Sequence, residues 1–201
     1  MAITTKVPGT RFGIKEVADV HFFNITDASA ESAEATVNAF ADSGAAVISF
    51  DTLKVSTIES TAENAEARGG KGNAALISWD YGREITVNLE DALMSMETLS
   101  LLFENNPAGE DEVIINANKY PGTYAVVGTT YARNETDGKD HLFKFVIPKA
   151  KIQSETTLTM EAEGDPTVIG MTLKVLRAKN GDMMALIRDE HDIDYVAPGN
   201  G

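Results

Sequence analysis

Along most of the chain apolar and polar residues alternate with a period of two, and the clearest switch to a helical period lies within residues 74–105, "AALISWDYGREITVNLEDALMSMETLSLLFEN". The opening "ALISW" reads as a short apolar strand that sets Trp79 against the core. A polar turn over residues 80–83, containing Gly82, follows. "EITVNL" then alternates, with Ile85, Val87 and Leu89 on one side and Thr86 and Asn88 on the other, the signature of a half-buried strand. From there Leu89, Leu93, Met96, Leu99 and Phe103 recur at helical spacing. This predicts a helix over residues 89–104 whose apolar stripe braces a sheet. Asn88 is the expected cap, Glu90 and Asp91 lie near the positive end, and Asn105-Asn106-Pro107 stops the helix.

The other patterned stretches read as strands: residues 19–25 ("DVHFFNI"), 45–50, 53–59, 112–118 ("EVIINAN"), 123–131, 142–148, 155–163 ("ETTLTMEAE"), 168–178 and 183–188. Turn signals separate them at Tyr120-Pro121-Gly122, Asp137-Gly138, Gly164-Asp165-Pro166 and Asn180-Gly181. The expected fold is mainly β, an antiparallel sandwich or barrel with one flanking helix, because an open sheet of so many strands exposes its edges. One domain is expected over residues 1–201, with an extended N-terminal arm over 1–15 and an acidic tail over 189–201. Residues 27–44, rich in Ala, Ser and Glu, fit either a helix or a loop. Residues 60–73, "STAENAEARGGKGN", carry almost no large apolar side chain and read as a long mobile loop. Unanchored loops of that length inside a compact domain usually serve a function.

Composition narrows the function classes. The chain has 201 residues, 43% of them hydrophobic, enough to bury a core. It has no cysteine, which excludes a disulfide scaffold, a thiol nucleophile and thiolate metal sites. The 31 acids outnumber the 17 bases, for a net charge of −14, and such a surface repels nucleic-acid phosphates. The excess is uneven: eight acids from Asp27 to Glu66 face the single base Lys54. On its own that run reads as a solvated face. The first fifteen residues show no signal-like apolar run, and no segment has the unbroken apolar length of a membrane span. A protein made in the cytoplasm with no membrane partner is expected.

Candidate chemistry is sparse. "GGKGN" (residues 69–73) lacks the Ser or Thr after its Lys and the following helix that a phosphate loop needs. "RDEHDIDY" groups Asp189, Glu190, His191, Asp192 and Asp194, but at neither calcium-loop nor helical-histidine spacing. His21, His141 and His191 lie far apart with no flanking nucleophile signature. Asn24-Ile25-Thr26 and Asn134-Glu135-Thr136 match glycosylation sequons without a secretory context. No catalytic, cofactor-binding or metal residue is assigned, and a non-enzymatic protein without cofactors is expected. A carbohydrate- or receptor-binding module would want more exposed aromatics than one Trp and five Tyr supply.

One run is more specific. Residues 50–93, "FDTLKVSTIESTAENAEARGGKGNAALISWDYGREITVNLEDAL", resemble the central segment of tailed-bacteriophage major tail proteins, the subunits of the tail tube. The likeness extends to order: strand, loop, "RGGKGN", "SWDYGREITV", then "LEDAL". It implies a β-sandwich with a flanking helix that assembles into hexameric rings, stacked as a hollow tube through which DNA leaves the virion. The implied partners are further copies of the chain and other tail proteins such as tape-measure, terminator and baseplate components, with no specific nucleic-acid binding. Arg68, Gly69, Gly70, Lys71, Gly72 and Asn73 become the expected subunit contacts. Trp79, Ile85, Val87, Leu89, Leu93, Met96 and Phe103 become the bracing core. A head-decoration or other virion β-structural protein would share these features.

Overall fold

The structure, a computed structural model, describes residues 11–14, 19–27, 29–40, 46–93, 95–103, 112–135, 138–153 and 169–192. Its centre is a hairpin of two long strands, β6 (Thr123–Asn134) and β7 (Asp140–Ile152), turned through Gly138 at φ 67°. Each offers its outer edge to two partners in succession. β6 pairs with β2 (Asp19–Asn24) over its first half and with β1 (Phe12–Ile14) at its end. β7 pairs with β9 (Ala185–Asp192) over His141–Val146 and with β8 (Ile169–Val175) at Ala150–Ile152. The path extends outward to β3 (Ile48–Phe50) on one side, and through β5 (Ala74–Asp91) to β4 (Leu53–Gly69) on the other. The result is one antiparallel sheet in the order β3-β2-β6-β7-β8-β5-β4, with β1 and β9 as branches.

Both faces of the central hairpin are buried, which is why "YAVVG" and "FVIP" are apolar on consecutive positions. On one face Val126, Phe145 and Ile147 join Val20 and Phe22 of β2, Val87 and Leu89 of β5, and Leu173 of β8 in the main core. Leu101 and Leu102 of α2 (Met96–Phe103) close onto it. On the other face Ala125, Val127 and Val146 meet α1 (Ala33–Phe40), where Phe40 stacks on Phe23 with ring centroids 4.4 Å apart. Each fully buried Val, Leu, Ile or Phe among them contributes about 1.5–3 kcal/mol of apolar burial before entropy is counted. At the crossing of β6 and β7 the Phe145 ring lies on Gly128, where a Cβ would come within 2.1 Å of it. Only a residue without a side chain lets that ring into the core.

Residues 27–44, open between helix and loop, contain α1. Ser32 caps it through its Oγ, which accepts from the Ala35 amide at 2.9 Å. A second cap comes from 149 positions away, the Asp182 carboxylate accepting from the Ala33 amide at 3.1 Å. Asn180 donates to the same carboxylate at 2.8 Å, and these two hydrogen bonds hold the Asp182 carboxyl below its ordinary range. Lys179 pairs with Glu31 beside it, and that contact raises the ammonium's pKa. The turn at Asn180-Gly181 therefore docks β8–β9 onto the start of α1 rather than joining two paired strands.

Five expectations are corrected. The helix begins at Met96, not at residue 89, because β5 continues to Asp91 through pairing with β8 up to Asp91↔Ile169. Ser95, not Asn88, is its cap, accepting from the Thr98 amide at 3.1 Å. Residues 112–118 form no strand: after a single bridge at Glu112 the backbone runs irregularly into a turn at Asn116–Lys119. Residues 60–73 are not a loop; strand β4 runs through to Gly69 and only a short turn remains. Residues 80–83 are not a turn but lie within β5. The expected strand over 155–163, the Gly164-Asp165-Pro166 turn, residues 1–10 of the arm and residues 193–201 of the tail lie outside the described residues.

Candidate assembly surface

The β4–β5 hairpin is longer than the sheet that supports it. Near its base β5 pairs with β8 from Thr86 to Asp91, and Ile85, Val87 and Leu89 are buried. Lys174 of β8 reaches Glu84 at 3.0 Å, and Thr172 donates to the Asn88 side chain at 3.0 Å. Thr52 and the buried Asp91 share a hydrogen bond that ties β4 to the end of β5. Beyond Ile85 this support stops. Residues 61–69 and 74–84 pair only with each other, as a two-stranded ribbon standing clear of the sheet.

Its turn is dictated by residue type. Gly70 has φ 77°, Gly72 φ 93° and Asn73 φ 50°, left-handed conformations that glycine and asparagine adopt most readily. The Asn73 amide closes the turn on the Gly70 carbonyl at 3.2 Å. Midway, Thr61 pairs with Glu84 but Glu63 with Tyr81, so β5 carries one extra residue there, a bulge at Gly82 with φ 62°. The bulge reverses the pleat. Below it the odd-numbered residues of β5 face the core; above it Ile77, Trp79 and Tyr81 share the side of Glu84 and Thr86.

The ribbon has two unlike faces. On one, Ile77, Trp79 and Tyr81 stand opposite Ala67, Ala65 and Glu63, and the three large side chains are 62%, 51% and 50% exposed. On the other, Asn64 donates to Ser78 at 2.6 Å and to Asp80 at 3.0 Å, and Arg68 donates to Glu66 at 2.8 Å. The polar face is satisfied within the chain; the apolar face meets water. A row of three large exposed apolar side chains is a candidate contact surface.

The sequence-derived contact residues Arg68, Gly69, Gly70, Lys71, Gly72 and Asn73 all lie at the ribbon tip. Arg68 is engaged by Glu66 of its own strand. The bracing set divides. Ile85, Val87 and Leu89 are buried, while Met96 and Phe103 are half-buried, Phe103 packing on the main core. Trp79 and Leu93, expected against the core, are instead exposed, Leu93 at 63%. Trp79 is on the unsupported part of the ribbon, and Leu93 follows the end of β5 ahead of the helix. Sequence reasoning passed over Ile77 and Tyr81 as surface residues; the signal for them was the row they form with Trp79 at a spacing of two.

Among the described residues no three or more potential metal-ligating side chains come together. Of the acidic run, Asp189–Asp192 end β9 and Asp194 lies outside the described residues. No helix among them is long and apolar enough to cross a membrane.

A family comparison gives this surface its context: residues 12–106 and 104–186 match the model of the YomU/Tube protein family. The chain belongs to that family. The two matched segments run from β1 into β9 and so take in the ribbon, both helices and the central hairpin. No curated protein matches the chain. The family's description makes this a tube-like structural protein, and in such a protein an apolar row displayed on a projecting ribbon is a candidate for contact between subunits.

Proposed function

We propose that this tube-family protein is a subunit of a phage tail tube, assembling with copies of itself into stacked rings, hexameric by resemblance, in the tail of the virion. The observation that carries the reading is the ribbon: paired strands with a satisfied polar face and an exposed apolar one. A free monomer gains nothing from holding Ile77, Trp79 and Tyr81 in water, whereas a neighbour that covers them gains apolar burial. In a tube, tape-measure, terminator and baseplate proteins would meet the ends, and DNA would pass along the lumen. The net charge of −14 suits that passage, because a basic wall would hold the duplex and an acidic one lets it slide.

The ribbon takes over the role that the residue pattern assigned to a mobile loop. Heterologous contacts close a ring when their rotation closes and continue as a stack when it does not. The test is to replace residues 62–83 with an Asn-Gly turn, which joins the paired residues Thr61 and Glu84 directly. The shortened chain keeps its circular-dichroism spectrum and, in negative-stain micrographs of concentrated protein, forms none of the tubes expected of the intact chain. Tubes from the shortened chain at the normal rate would remove the ribbon from assembly.

A further inference from the structure

Two groups among the exposed apolar residues lie toward opposite ends of the sheet. β8 runs antiparallel to β7 and so parallel to β6, while β5 runs antiparallel to β8 and so opposite to β6. The ribbon tip, at the start of β5, therefore projects toward the C-terminal end of β6. Tyr120, just ahead of β6, lies at the other end and is 60% exposed; the turn in which the Lys119 amide donates to the Asn116 carbonyl folds the preceding residues back toward it, and there Ile114 is 51% and Ile115 67% exposed. Leu93, just past the C-terminal end of β5, is at the same end and is also exposed. The stretch "EVIINAN" thus has the composition of a strand and the exposure of a surface.

Resting on the tube reading, we propose that Leu93, Ile114, Ile115 and Tyr120 form the receiving surface for the Ile77–Trp79–Tyr81 face of the next copy along the stack. The placement of the two surfaces makes the contact head-to-tail, so it leaves one free ribbon and one free receiving surface and propagates instead of closing as a dimer. Their charges match: Glu63 flanks Tyr81 on the ribbon's apolar face, and Lys119 adjoins Tyr120 on the receiving surface. Size points the same way. Each patch exposes on the order of a few hundred Å², below the roughly 800 Å² per partner of a standard interface. One such contact is weak, and a ring of them holds by repetition.

The experiment uses the full chain with Trp79→Asp, which spoils the ribbon, and Ile115→Asp, which spoils the receiving surface. Both positions are exposed, so an unchanged thermal midpoint shows that folding is intact. Neither variant alone forms tubes. Mixed one to one, the sound ribbon of the Ile115→Asp chain meets the sound receiving surface of the Trp79→Asp chain, giving two-layer particles by sedimentation velocity and microscopy. A contact of ribbon with ribbon would instead let the Ile115→Asp chain associate with itself, and adding the Trp79→Asp chain would not increase assembly. Glu63→Lys slows tube growth at low salt, and adding Lys119→Glu restores it. Tubes from Ile115→Asp alone, or a mixture that stays unassembled, overturn the receiving surface while wild-type tubes leave the tube reading standing. Wild-type chains that form no tubes at any concentration overturn the tube reading itself.

Discussion

The lower and upper halves of the β4–β5 hairpin share one hydrogen-bonding pattern and differ in what lies beside them. In the lower half β8 pairs along β5, and Val87 and Leu89 are buried in the main core. In the upper half the same two strands pair with each other alone, and Trp79 and Tyr81 stand in water. Strand pairing by itself does not bury a side chain; a second layer does. The lower half is therefore where truncation acts on folding. The upper half is where it acts on association.

The largest effect that would break this division is in the lower half. Leu89→Ala removes a buried side chain from the main core and is expected to cost about 2–5 kcal/mol, read as a lower denaturant midpoint at unchanged slope. A cost under 1 kcal/mol would mean that the lower half is no better supported than the tip.

A smaller effect asks whether a polar tertiary contact anchors an element as the core does. Asp182→Ala removes the distant cap of α1. The carboxyl is held below its ordinary range in the folded chain, so its stabilisation is fully present above the unfolded pKa and fades as pH falls through the folded one. The variant is expected to melt below wild type at neutral pH, and the gap should close in acid below the ordinary carboxylate range. A gap that stays constant into acid would assign the effect to lost packing.

The smallest effects belong to the exposed positions. Trp79→Ala and Leu93→Ala should each move stability by less than about 0.5 kcal/mol, as substitutions away from the core do. Trp79→Ala should still abolish tube formation. A large loss of stability from either would place that side chain against the core after all.

Much of the fold could be read from period-two alternation. β8 and the lower half of β5 carry it openly, β2 and the central hairpin show instead as apolar runs, and Asp137-Gly138 marks the turn between β6 and β7. The misreadings have separate causes. Residues 60–69 are mostly Ala, Glu, Asn and other residues with low strand preference, held extended by pairing with β5. Gly82 is a turn signal used for a bulge, because the pairing resumes on both sides of it. Leu89 fits a strand of period two and a helix of period 3.6 equally well, and pairing with Met171 across to β8 decides for the strand.

The amino-acid sequence determined the antiparallel β class, the alternation of the core strands, the glycine-built turn at residues 70–73 and the acidic surface, because these follow from neighbouring residues and side-chain chemistry alone. Only the tertiary structure decided where the supporting layer ends. That boundary depends on β8, whose nearest residue to β5 in the chain, Ile169, is 78 positions beyond its partner Asp91. It turns one patterned run into two surfaces, Leu89 inside and Trp79 outside, since a strand carries its alternation wherever it goes and burial requires a partner to lie against it.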